Sequence, residues 1–117
     1  MITRISDVSY NTVGFIHDKV IEDASTSQIG FIEGDAVLDL HKNTIGYILF
    51  GRIEDMHHDA LAYIEGDILY DATHTVIAYL YSERIEDAFH NTVGYVHNQA
   101  DKSMIAALII FGFISLI

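Results

Sequence analysis

The sequence predicts an all-β domain made of six tandem sixteen-residue, two-strand repeats, arranged as a ring or a solenoid, with a buried apolar C-terminal segment. Three observations carry this. A small residue recurs every sixteen positions without a gap, at Gly14, Gly30, Gly46, Ala62, Ala78 and Gly94, and an aromatic follows each one: Phe15, Phe31, Tyr47, Tyr63, Tyr79 and Tyr95. A second apolar column, Ile5, Ile21, Val37, Ile53, Leu69 and Ile85, leads two places later to Asp7, Asp23, Asp39, Asp55, Asp71 and Asp87. From about residue 103 the period stops and the chain turns almost continuously apolar.

Each unit reads as a segment of the Ile-Glu-Asp-Ala kind, a polar turn, a segment of the Val-Gly-Tyr-Ile kind and a second turn. β-branched and aromatic residues fill the apolar columns, and four or five residues between polar breaks are too few to nucleate a helix. Asn11-Thr12, Asn43-Thr44 and Asn91-Thr92 punctuate one break, and Gly34-Asp35, Gly51-Arg52 and Gly66-Asp67 the other. Proline is absent, as suits strands that all donate ladder hydrogen bonds. The repeats run from about 4 to 99 within a single domain of residues 1–117, a length at which one core suffices.

A weaker period of thirty-two overlies the first. Two columns change character together: Glu22 with Glu33 and Glu54 with Glu65 in alternate units, Leu38 with Leu49 and Tyr70 with Tyr81 in those between. Cross-strand neighbours would change in this way, so the two places are expected to touch, with the odd copies facing an apolar environment and the even copies water. Leu38, Leu49, Tyr70 and Tyr81 are thereby candidates for an assembly face, against the plainer reading of scattered surface apolars.

The motif of apolar residue, any residue, Asp, turn, Ile or Val, Gly, Tyr, Ile, as in Ile85-Glu86-Asp87 leading to Val93-Gly94-Tyr95-Val96, resembles the short-repeat bacterial beta-flower proteins over residues 4 to 99. The resemblance implies a flower-like or propeller-like ring of hairpins, often without assigned catalysis. In those relatives a glycine often stands three places after the aspartate. Here that place holds Tyr10, Thr26, Lys42, His58, His74 and His90, which leaves the turn type open.

In the tail, Met104, Ile105, Ala106, Ala107, Leu108, Ile109, Ile110, Phe111, Phe113, Ile114, Leu116 and Ile117 are interrupted only by Gly112 and Ser115. A segment apolar all round needs burial on every side, and this one falls short of the ~18 residues that span a bilayer as a helix. It is expected to plug the channel enclosed by the repeats, over about 103–117, in its own subunit or in the next. The second arrangement would make these residues an assembly element. Ala-Ala-Leu favours helix, and Ile-Ile-Phe opposes neither helix nor strand.

Two constellations could carry chemistry. The aspartate column offers carboxylates to calcium, although an aspartate at a strand end ordinarily accepts hydrogen bonds from its own turn amides. His58, His74 and His90 share one column, with His41 and His57 beside it, and imidazoles that converge hold zinc. Repeat symmetry instead spreads such residues round a ring as exposed turn histidines. Stacked like charges also favour a ring, which separates the copies, over a straight solenoid.

No nucleophile elbow, phosphate loop or zincin motif occurs, and near-identical copies supply like groups in symmetric places where an active site needs unlike groups converging. No enzyme is expected. The formal charge of −11 disfavours nucleic acid and anionic membranes as partners. Cysteine is absent, so neither disulfide nor thiolate site can form. Met1 leads straight into Thr3, Arg4 and Asp7 with no signal-peptide pattern. The expectation is a structural protein whose partner is itself, a fibre or ring subunit, extracellular or at a cell surface. The alternative is a monomeric module that binds a metal or small ligand through its aspartate or histidine columns.

Overall fold

The computed structural model describes residues 2–98 and 100–117; Met1 and Gln99, at the margins of the domain and repeat boundaries read from the sequence, lie outside the described residues. Twelve strands follow in order: β1 (Ile2–Asp7), β2 (Thr12–His17), β3 (Val20–Asp23), β4 (Gln28–Glu33), β5 (Ala36–Asp39), β6 (Thr44–Leu49), β7 (Arg52–Asp55), β8 (Ala60–Glu65), β9 (Ile68–Asp71), β10 (Val76–Leu80), β11 (Arg84–Asp87) and β12 (Thr92–His97). Each pairs antiparallel with the next, and β1 pairs with β12 through Arg4–His97 and Ile5–Val96. The result is a closed, barrel-like flower, 35 × 33 × 19 Å, without a free edge.

Such an up-and-down closure sends every odd-to-even connection to one rim and every even-to-odd connection to the other. The first rim carries six turns of one design. At β1–β2 the amide of Asp7 donates to the carbonyl of Asn11 at 2.9 Å, and the amide of Tyr10 donates to the carbonyl of Asp7 at 3.0 Å. Tyr10 itself has φ 65°. Thr26, Lys42, His58, His74 and His90 repeat this with φ between 64° and 67°. The open question of turn type thus resolves as a three-residue loop whose last residue is left-handed, a place where glycine costs least and where this chain puts large side chains.

The inward face holds Ile5, Ile21, Val37, Ile53, Leu69 and Ile85, all fully buried, beside the small column. After residue 100 the chain forms a helix, α1 (Lys102–Ile110), capped by Asp101, whose carboxylate accepts the Ser103 amide at 2.8 Å. α1 runs against β6, β7, β8 and β10, and buries Ile105, Ala106, Ala107 and Leu108. Gly112, with φ 76°, then reverses the chain, and the amides of Phe113 and Ile114 donate to the Leu108 carbonyl at 2.9 and 3.2 Å.

This arrangement explains which small residue stands where. A β-carbon at Gly46 would collide with Phe111; at Gly30 it would lie 2.7 Å from the Phe113 ring, at Gly94 2.9 Å from Leu116 and at Gly14 3.1 Å from Ile114. Ala62 and Ala78, on strands β8 and β10 that face α1, keep their methyl groups and are fully buried. Bulky tail side chains therefore coincide with glycine and the helix with alanine.

One expectation about the sheet is corrected. The paired columns are not cross-strand partners: Leu38 faces Phe31 and Thr44, Leu49 faces Arg52, and Tyr70 faces Tyr63 and Val76. The first column pairs beside the turn, Glu22 opposite Gln28 and Leu38 opposite Thr44, while the second lies at the far end of the even strand, Glu33 opposite Ala36 and Leu49 opposite Arg52. In the first of these columns the expected alternation fails, since Glu54 is 0% and Glu86 7% exposed while Leu38 is 6% exposed; in the second, Glu33 and Glu65 are exposed as expected.

Candidate functional site

The outer surface is organised at the junctions between successive hairpins. The aromatic of one unit and the residue before the aspartate of the next stand opposite one another in the ladder: Phe15 and Glu22, Phe31 and Leu38, Tyr47 and Glu54, Tyr63 and Tyr70, Tyr79 and Glu86. The ring closes the series with Tyr95 opposite Ser6. Over five of the six aromatics leans the left-handed residue of the next turn. His58 stacks on Tyr47 at 4.2 Å between ring centroids, His74 on Tyr63 at 4.7 Å, His90 on Tyr79 at 4.0 Å and Tyr10 on Tyr95 at 4.8 Å, while the Lys42 ammonium lies 4.7 Å from the Phe31 centroid. A left-handed backbone costs a non-glycine residue about 1–2 kcal/mol, and an aromatic pair returns about 0.5–1.5 kcal/mol. The stacking offsets much of the strain.

Two junctions go further and are alike. At one, Arg52 pairs with Glu54, and Glu54 Oε1 accepts the Nδ1–H of His58 at 2.8 Å. At the other, Arg84 Nε donates to Glu86 Oε2 at 2.9 Å, and Glu86 Oε1 accepts the Nδ1–H of His90 at 2.8 Å. The His58 ring, and then Arg52, hold the Glu54 carboxyl below its ordinary value against the opposing effect of burial. Each cluster is a buried carboxylate held between a guanidinium and an imidazole, the imidazole stacked on a tyrosine.

The histidine candidates therefore stand apart, one per junction, and His74 differs again, its Nε2 lying 3.4 Å from Glu65. No group of three or more histidine, aspartate or glutamate side chains close enough to hold a metal occurs among the described residues. The aspartate column is engaged by its own turns. Asp7 Oδ1 accepts the amides of Ser9 and Asn11 at 2.9 and 3.0 Å, and Asp55 Oδ1 those of His57 and Asp59 at 2.8 and 3.0 Å, a pattern shared by the other four. Hydrogen bonds from Asn43 to Asp39, from Thr73 to Asp71 and from Asn91 to Asp87 lower these carboxyl pKa values.

Of the tail candidates, Ile105, Leu108 and Ile114 are buried in the chain's own core, and Met104, Ile109, Ile110, Phe111 and Phe113 pack against it. Leu49, Tyr70 and Tyr81 are partly exposed on the outer face, where Arg84 lies over the Tyr81 ring at 5.0 Å. Sequence reasoning missed the junction clusters. Their signal was the segment Arg-Ile-Glu-Asp-x-x-His, present at 52–58 and 84–90, in which glutamate and histidine are four apart.

The family model of the 5-fold beta-flower proteins matches residues 2–83 and, in a second register, 35–109. The chain belongs to that family. The first match covers β1 to β10, ten of the twelve strands, and the second reaches from β5 into α1. No curated protein and no solved structure matches.

Proposed function

We propose that this chain is a non-enzymatic structural protein, a flower of six units rather than five, that works by associating with copies of itself. One observation carries the reading. Every strand edge is paired and the bulky tail is packed within the ring, yet Phe50 is left fully exposed and Phe89 85% exposed, with Val8, Tyr10, Leu40 and Met56 each half exposed or more. Large apolar groups outside a finished core mark contact surfaces. The same paired edges argue against growth by strand addition, and the packed tail against its exchange between subunits. Against an enzyme stands the character of the clusters, in which an arginine, a glutamate and a histidine satisfy one another. Sedimentation velocity across the micromolar range tests the reading: it expects a species larger than one chain, and a monomer at every concentration would refute it.

A second reading, a ligand-binding module, has a specific observation behind it. Surface grooves of about 660 and 500 Å³ recur at places thirty-two residues apart, one lined by Tyr95, Val96 and His97 and the other by Tyr63, Ile64 and Glu65. A native-state ligand raises the melting temperature, so the absence of any shift with calcium, zinc or a small-molecule panel would remove this reading.

A further inference from the structure

Among the described residues, six of the eight large apolar side chains left exposed belong to one rim. Val8 and Tyr10 stand in the β1–β2 turn, Leu40 in β5–β6, Met56 in β7–β8 and Phe89 in β11–β12; Ile117 follows Leu116, which lies on Gly94 at the same ends of the strands. The opposite rim has Ile2 and Phe50. The distribution within the rim is equally uneven. Around the closed ring, the β11–β12 and β1–β2 turns, each with a large exposed apolar side chain, are neighbours, and so are the β5–β6 and β7–β8 turns directly across from them, where Leu40 and Met56 stand among His41, Lys42, His57, His58 and Asp59. Between these pairs, opposite each other, lie the β3–β4 and β9–β10 turns, built from Ala24, Ser25, Thr26 and Ser27 and from Ala72, Thr73, His74 and Thr75.

That pattern is self-complementary. A two-fold axis lying in the plane of the rim, through the two small-residue turns or at right angles to them, lays the apolar pairs of one copy on the apolar pairs of another. We infer that this rim is the contact surface of a face-to-face dimer, an isologous contact with a second copy of this chain that closes and does not propagate. The inference rests on the self-association reading and names its surface. The area suffices, since a disc 35 by 33 Å across presents about 900 Å², close to the ~800 Å² that each partner of a standard complex buries. Of the seven aspartates on the rim, the six of the repeated column each have one carboxylate oxygen engaged by two amides of their own turn, and the seventh, Asp59, stands exposed in the β7–β8 turn. With a net charge of −11 on each copy, long-range repulsion opposes association, and added salt strengthens it.

The test is sedimentation velocity on the full chain, wild type against Phe89→Glu, Met56→Glu and Leu40→Glu on this rim and Phe50→Glu on the other. All four side chains are more than half exposed, and far-ultraviolet circular dichroism is expected to be unchanged. The expected result is a two-chain species whose dissociation constant rises about tenfold or more in each of the first three variants and is unmoved by Phe50→Glu. A monomeric wild type would sink both the dimer and the self-association reading. An assembly indifferent to the three rim variants but broken by Phe50→Glu, or one that grows beyond two chains, would sink the face-to-face dimer and leave self-association standing. A dimer that salt weakens would overturn the apolar contact in favour of a charge-driven one.

Discussion

The ring of Phe113 occupies the space a side chain at Gly30 would need: a β-carbon there lies 2.7 Å from two carbons of that ring and 2.9 Å from the Leu38 carbonyl. Four such contacts tie residues 111–116 to the glycines of β2, β4, β6 and β12, so the small column of the strands and the bulky tail constrain one another.

Alanine substitutions at these glycines are expected to destabilise in the order set by the crowding. Gly46→Ala, which meets Phe111 and the Glu54 carbonyl, should cost about 3 kcal/mol or more, and Gly14→Ala, with its nearest neighbours at 3.1 Å, about 1 kcal/mol. Urea denaturation of the series measures this, and equal losses at Gly46 and Gly14 would contradict it.

The left-handed turn residues allow a stabilising prediction. Thr26 has φ 66°, is β-branched and shows no stacking contact over Phe15, so Thr26→Gly should stabilise the fold by about 1 kcal/mol. His90→Gly removes the same strain together with the Tyr79 stack and the Glu86 hydrogen bond, and should not stabilise. Thermal melting of the two variants decides, and a higher melting temperature for His90→Gly would mean that the stack contributes nothing.

Asp39, Asp71, Asp87 and Glu54 have carboxyl pKa values held below the ordinary range in the folded chain. A depressed group contributes stability that is present in full above its unfolded pKa and is lost as pH falls through its folded one. The melting temperature should therefore hold steady from neutrality to about pH 5 and decline below about pH 4. Asp87→Asn should melt lower at pH 7 and approach wild type as the acid limit nears; a gap independent of pH would show that the charge of Asp87 plays no part.

Removing residues 111–117 exposes the glycine ends of four strands and uncovers the neighbouring inward isoleucines. The truncated chain should lose cooperative unfolding or drop by several kcal/mol, at about 25 cal/mol for each Å² of apolar surface laid open. Calorimetry reads this directly, and an unchanged transition would show the tail to be dispensable to the ring.

Much of the ladder was legible in the amino-acid order because local chemistry repeats. Ile5 and its equivalents mark one strand, Gly14 and its equivalents the other, and Asp7 with Asn11 announces the turn between them, all within reach of neighbouring residues. The junction clusters were not legible, although Arg52, Glu54 and His58 lie in one segment, because their fourth member, the tyrosine, depends on which strand lies alongside. Tyr47 joins them only through the β6–β7 register, which sets it opposite Glu54.

The sequence by itself determined the strands, their turns and the beta-flower likeness, since a period of sixteen imposes equivalent surroundings on equivalent residues. Tertiary structure alone decided that β12 returns to β1, that the tail is a helix with a reversed end lying on the glycines, and that Glu54 and Glu86 are buried. Those outcomes depend on closure, a non-local condition met by the accumulated twist and turn geometry of all twelve strands, and no stretch of sixteen residues carries it.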